Sequence, residues 1–460
     1  MKVLFVTSEV APIRKFGGLG DFSASLPKAL SGLGVAVDII FPYYAENKLE
    51  NYVVTKLIEL QVPYNNKSHT IPFYCIKLNS DLRVLMPKIT HSNLPVDNYS
   101  DVEFFSFFNR CVVEYIKSQY NTYNVVHCND WHAGFVTHIL EQELGHDRPK
   151  TLLTIHNFGY QGVFDPVIVM EMGLTPGEHP LVDWDISDGD VNMLLQGIGS
   201  SDFVNTVSPS YASELMEQQE VADSPQIIQV LLGRKDRFKG ILNGIDYTQL
   251  PRSFSAQDFK KHKSETKRML QEKFKLDLKE QAPLFSFISR LDPGQKGLDI
   301  LFESVKTIDA IEGQFILLGT GDKAWEKKFS DILSHNMSVN ITFDVELANA
   351  IYSASDFFFV PSKYEPCGLT QMMAMWYGAL PIVHNVGGLK DTVVDGKNGF
   401  VFDDYSSKAL SEAIIRASEV YKNRPVLDEM IKSAMLADFS WKISALEYKR
   451  LYEDLVRGTI

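Results

Sequence analysis

A chain of 460 residues, 45% hydrophobic and 22% charged, is long enough for two ordinary domains and apolar enough to give each a core. Its formal charge, 45 − 58 = −13, argues against a general binder of nucleic acid or anionic membrane, so an anionic substrate would need a locally basic site. Its four cysteines (Cys75, Cys111, Cys128, Cys367) form no CxxC pair and suit neither a disulfide framework nor a zinc site, which reads as reduced thiols in the cytoplasm.

In chain order, Met1-Lys2-Val3-Leu4-Phe5-Val6 is apolar but short, and Glu9, Pro12, Arg14 and Lys15 follow at once. That predicts a strand rather than a secretory signal, and no apolar run is long enough to span a bilayer. Short apolar or β-branched runs then recur, each followed by turn residues and a longer periodic segment. Val3–Thr7, Val35–Phe41, Val125–Cys128, Thr151–Ile155 and Phe203–Val207 fit the strand template in the first half. Leu284–Ser289, Gln314–Leu318, Phe357–Pro361 and Leu380–Val383 fit it in the second. Continuous apolar runs alternating with helical stretches predict parallel sheets covered on both faces, a doubly wound α/β class.

A break falls near Asp246–Asp258, after the turn pair Asn243-Gly244 and around Pro251, and a polar helical stretch, Phe259–Phe274, follows it. The expected domains are about 1–245 and 255–440. Residues 441–460 should add a helix packed back toward the first domain, with Ile443, Leu446, Tyr448, Leu451 and Leu455 on its buried face.

Lys15-Phe16-Gly17-Gly18-Leu19-Gly20-Asp21 follows the first strand. Glycines let a backbone approach a ligand, a helix N-terminus offers free N–H groups, and Lys15 adds a positive charge, a combination that suits phosphate. Glycines alone fit a plain tight turn as well. Val386-Gly387-Gly388-Leu389-Lys390-Asp391 echoes the motif in the second half, and two such turns facing across a cleft would hold the two ends of one ligand.

These residues resemble the lysine–x–glycine–glycine–leucine signature of bacterial glycogen synthases and plant starch synthases. Further stretches match in order: Asn129-Asp130-Trp131-His132-Ala133, Thr154-Ile155-His156-Asn157 with Tyr160-Gln161-Gly162, Thr206-Val207-Ser208-Pro209-Ser210-Tyr211 with Ile241-Leu242-Asn243-Gly244-Ile245-Asp246, and Glu365-Pro366-Cys367-Gly368-Leu369-Thr370-Gln371. The likeness runs from Met1 to about Tyr452. It implies the glycosyltransferase-B architecture, two Rossmann-like domains facing across a cleft. It also implies retaining transfer of glucose from ADP-glucose to the end of an α-1,4-glucan such as glycogen or a maltooligosaccharide. ADP-glucose would be a substrate, and neither a cofactor nor a metal is expected.

The resemblance assigns roles residue by residue. Arg290 and Lys296 would hold the diphosphate, where departing charge needs cations, although their spacing is one residue longer than the family's and Pro293-Gly294 would have to absorb it. His156 would lie beside the donor glucose, and Asp130 would orient a hydroxyl; His132 reads as structural. Glu365 would stand near the transfer centre, with Met373 eight positions on, so no glutamate pair is assigned, and Cys367 reads as structural. Phe343 aligns with a base-stacking aromatic, the alternative being a core phenylalanine. Lys15, Gly17, Gly18 and Asp21, with Asn243, Gly387, Gly388 and Thr392, would line the substrate.

The acidic cluster Asp183-Trp184-Asp185 … Asp188-Gly189-Asp190 fails the calcium-loop pattern, since Gln196 takes the twelfth position, and reads as a solvated loop. Three rival functions remain: the same fold using UDP-glucose or another acceptor, a glucan phosphorylase, and a non-catalytic glucan-binding descendant. No pyridoxal phosphate signature supports the second, and the third should have lost residues such as Lys15 and Glu365.

Overall fold

The first strand, β1 (Lys2–Val6), is buried along nearly its whole length, and its neighbours repeat that character: β2 (Ala36–Ile40), β6 (Val125–Asn129) and β7 (Lys150–Ile155). Strands apolar on both faces can only lie inside a sheet covered by helices. The computed structural model describes residues 1–89, 101–217, 225–332 and 334–460. They divide into two units, Met1–Asn243 with Trp441–Ile460, and Gly244–Ser440.

The first unit adds β3 (Val54–Tyr64), β4 (Lys67–Lys77), β5 (Leu82–Pro87), the separate short antiparallel pair β8 (Val163–Phe164) and β9 (Val191–Asn192), then β10 (Phe203–Thr206) and β11 (Phe238–Gly240). Its nine-stranded sheet runs β11-β10-β7-β6-β1-β2-β5-β4-β3. It is parallel from β11 to β5 and antiparallel beyond. The order reverses at β1, whose two neighbours are β2 and β6, and an open α/β sheet binds ligands at the carboxyl ends of strands beside such a reversal.

The second unit has a six-stranded parallel sheet in the order β14-β13-β12-β15-β16-β17. Its strands are β12 (Leu284–Ile288), β13 (Gln314–Leu318), β14 (Met337–Asn340), β15 (Phe357–Val360), β16 (Leu380–His384) and β17 (Phe400–Phe402). Here the order reverses between β12 and β15.

Several elements depart from the sequence reading. The β3–β4 hairpin was not expected, because its alternation is mostly polar; its signal is Asn65-Asn66, both at positive φ (50° and 56°), the mark of a tight hairpin turn. The final helix, Trp441–Arg457, buries Trp441, Ala445, Tyr448, Leu451, Tyr452 and Leu455. Ile443 and Leu446 point outward instead. Among the described residues, no helix is long and apolar enough to cross a membrane.

Candidate active site

In the first unit, three adjacent strands deliver side chains at their carboxyl ends. After β6, Asp130 adopts φ 54° with ψ −174°, an extended positive-φ conformation that residues other than glycine rarely adopt. Its backbone N–H donates to the Thr154 carbonyl (2.9 Å), and its carboxylate accepts the His156 N–H (2.7 Å). Burial pushes the Asp130 carboxyl up to about 7 against the pull of the His156 and Asn157 N–H groups, and Glu9 nearby raises it further.

His156 follows β7. Burial drives its pKa down to about 3, so the ring is neutral. The Asn129 amide donates to the Val6 carbonyl (2.9 Å), so its oxygen accepts from His156 Nε2 (3.1 Å). That assignment leaves Nδ1 as the acceptor. The His156 ring also meets the edge of Phe22 at 4.4 Å. His132 is buried, stacked on Trp131 at 3.9 Å and edge-on to Phe105, in the setting of a core residue.

After β1 comes the glycine-rich loop, and here the structure corrects an expectation. The N–H groups of Phe16 and Gly17 (3.0 Å for Gly17) donate to the buried carboxylate of Glu9, and Gly20 N–H does the same. They are not free for a phosphate. Lys15 and Asp21 remain on the outside, paired at 2.7 Å and both half-exposed. Gly18 opens the helix Gly18–Gly32 with no atom near its Cβ position. Asn243 is buried, and its Oδ1 has no hydrogen-bond partner among the described residues, an acceptor left for a ligand or water.

In the second unit the loops after β12 and β15 meet across the strand-order reversal. Lys296 Nζ lies 2.8 Å from Glu365 Oε2, and the Ser362 hydroxyl donates to the same oxygen at 2.8 Å. The longer Arg290–Lys296 spacing is taken up locally: Asp292 accepts the Gly294 N–H with its side chain (3.0 Å) and the Lys296 N–H with its carbonyl (2.9 Å). Gly297 then turns the chain at φ 66° against the Pro361 carbonyl, where no side chain fits. Arg290 is 58% exposed and, among the described residues, paired only with Asp292 at 2.9 Å.

The diglycine after β16 is pinned to the same place. Gly388 N–H donates to the Glu365 carbonyl (3.1 Å), and Gly387, at φ 45°, lies so close to that carbonyl that a Cβ would collide with it. Thr392 is turned inward, its hydroxyl donating to the Gly388 carbonyl (2.9 Å) and accepting from Gln371 (3.2 Å), so it braces the turn rather than lining a ligand surface. Phe343 is 84% exposed, which excludes the core alternative.

Two features escaped the sequence reading. Glu9 is one; its only legible signal was an acid eight residues before a glycine that cannot cap a helix. The acidic cluster is the other. Asp185 is not solvated but buried in the helix Pro180–Asp185, accepting from the Asn192 N–H (3.0 Å) and the Gln196 amide (2.7 Å), with burial raising its carboxyl to about 6. It is a local brace. Among the described residues no three metal-ligating side chains gather.

Comparisons place this geometry among known proteins. Residues 2–228 match the family model of the starch synthase catalytic domain, and residues 269–434 match that of the glycosyl transferases group 1. The glycogen synthases of Geotalea daltonii and Thermosipho africanus are each 37% identical to the chain over 98% of both partners. The solved catalytic domain of starch synthase IV from Arabidopsis thaliana, bound to ADP and acarbose, superposes with a TM-score of 0.87 at 30% identity over 99% of each chain. Sucrose-phosphate synthase from Thermosynechococcus elongatus, at 20% identity and a TM-score of 0.65, shares the fold.

Proposed function

The chain belongs to the glycogen synthase and starch synthase family of hexosyltransferases, and from that premise we propose that it moves glucose from ADP-glucose to the non-reducing end of an α-1,4-glucan, releasing ADP. The observation that carries the reading is the meeting of Lys296 and Glu365 at the strand-order reversal of the second unit, with Arg290 exposed in the loop that carries Lys296.

A departing diphosphate develops charge, and fixed cations aimed at it lower the barrier. Arg290 offers a forked guanidinium and Lys296 a point charge. Phe343 presents a bare ring for the nucleotide base, and ADP bound to the Arabidopsis relative favours adenine. His156 is neutral at working pH and accepts a hydrogen bond from a sugar hydroxyl at Nδ1; it is not the proton donor. Glu365 has one oxygen engaged by both Lys296 and Ser362, which weakens it as a nucleophile. That favours retention by front-face attack, with the leaving phosphate taking the acceptor's proton, over a covalent glucosyl intermediate. We place the reaction in the cytoplasm, in keeping with four free buried thiols and bacterial glycogen synthase relatives.

The test is incorporation of glucose into a maltooligosaccharide primer from ADP-glucose and UDP-glucose side by side, with and without EDTA. Incorporation from ADP-glucose that EDTA does not change is expected. Use of UDP-glucose alone would overturn the donor assignment, and failure of both donors with a folded protein would leave only glucan binding.

A further inference from the structure

The helix Gly18–Gly32 starts from Gly17, which has no side chain to cap it. The first N–H groups of a helix have no acceptor within it and need one from outside. The acceptor here comes from Glu9, eight residues upstream and 1% exposed, which takes the N–H groups of Phe16, Gly17 and Gly20. Glu9 is itself tied down: Thr7 Oγ1 donates to its carbonyl (3.1 Å) and also bonds Ser23 of the same helix (2.8 Å). A Cβ on Gly20 would stand 3.0 Å from Glu9 Oε2 and 3.2 Å from Lys15 Cγ, so the glycine, the acid and the lysine stem are fitted to one another.

We propose that Glu9 is a positioning residue for the sugar-nucleotide donor: its carboxylate fills the anion position at this helix N-terminus from below and sets the course of the Lys15–Asp21 loop. A serine or aspartate at position 17 would cap the helix equally well but would put a side chain on the loop's outer surface. Capping from beneath keeps that surface bare at Gly17 and Gly18 while Lys15 Nζ faces outward. The charge in the loop is therefore the protein's own, and the donor meets Lys15 rather than the Phe16 and Gly17 amides. The inference rests on the reading that Lys15 meets the donor.

The experiment compares wild type, Glu9→Gln and Glu9→Ala by thermal melting, by kcat, and by separate KM values for donor and for glucan primer, using whichever of ADP-glucose and UDP-glucose the wild type accepts. The expected result is a donor KM at least tenfold higher in Glu9→Ala, a smaller rise in Glu9→Gln, which keeps one acceptor oxygen, and a glucan KM within twofold of wild type. If Glu9→Ala does not fold, Glu9→Gln and Gly20→Ala carry the same comparison. Donor KM values within twofold of wild type in the folded variants, or donor and glucan KM rising together, would overturn the assignment. Wild type inactive with either donor would instead overturn the parent reading and this inference with it.

Discussion

Asp130 and His156 stand on adjacent strands, and burial pushes each toward its uncharged form: the aspartate up to about 7, the histidine down to about 3. Activity should therefore show no histidine limb between pH 5 and 9. It should instead rise through pH about 7, as Asp130 ionises and becomes the better acceptor for the His156 N–H. Asp130→Asn should flatten that rise in a kcat/KM profile. The same shift acts on stability with a definite sign. Asp130 binds its proton more tightly folded than unfolded, where its value is 3.8, so its contribution to stability falls as pH rises from about 4 to about 7. The melting temperature of Asp130→Asn relative to wild type should climb across that window.

The two cations of the second unit should separate cleanly. Arg290 is exposed and its pair with Asp292 is worth at most about 1 kcal/mol, so Arg290→Ala should keep the wild-type melting temperature and lose donor use. Lys296→Ala strands the buried Glu365 carboxylate, at a cost of roughly 3–5 kcal/mol, and Lys296→Ala with Glu365→Gln should recover much of that stability but no activity. Phe343→Ala should behave like Arg290→Ala, raising donor KM without moving the melt.

At the scale of elements, the parallel strands were legible because burial on both faces forces continuous apolar runs, and each predicted strand lies within a residue or so of its observed ends. The β3–β4 hairpin was not, because a half-solvated strand carries polar residues and only its Asn65-Asn66 turn announces it. The last helix was legible as a helix but not in its rotation. Apolar residues surround it, and what selects the buried face is polar: Tyr452 hydroxyl bonds His127 Nδ1 (2.7 Å), and the Asn205 amide donates to Tyr448 hydroxyl (2.8 Å). His127 Nε2 continues to Thr154 (2.6 Å), whose hydroxyl donates to Asn205 (2.6 Å), so strands far apart in sequence form one buried network with the helix. No local pattern encodes such partners. Tyr452→Phe leaves the buried His127 nitrogen unsatisfied and should cost about 1–3 kcal/mol in denaturant unfolding, with kcat reduced to the extent that Phe22, packed between Tyr448 and His156, shifts.

Over the whole molecule, a charge of −13 opposes an anionic donor and is indifferent to a neutral glucan. Which field governs donor binding follows from distance. A contact pair at 4 Å is worth about 1 kcal/mol even at the dielectric of water, whereas a charge about 25 Å away contributes roughly 0.2 kcal/mol before a Debye length of about 10 Å at 0.1 M salt removes most of it. A cation in contact with the donor, the role proposed separately for Lys15 and for Arg290, therefore outweighs the acidic background. Added salt should weaken those contacts more than it relieves the repulsion. Raising sodium chloride from about 0.05 to about 0.5 M should lift donor KM several-fold and leave glucan KM within twofold, because Debye screening acts only on the charged substrate. Arg290→Ala should lose most of that salt dependence. A glucan KM that rose in parallel with the donor's would mean that salt perturbs the folded protein rather than the ion pairs, and steady melting curves across the same range would exclude that.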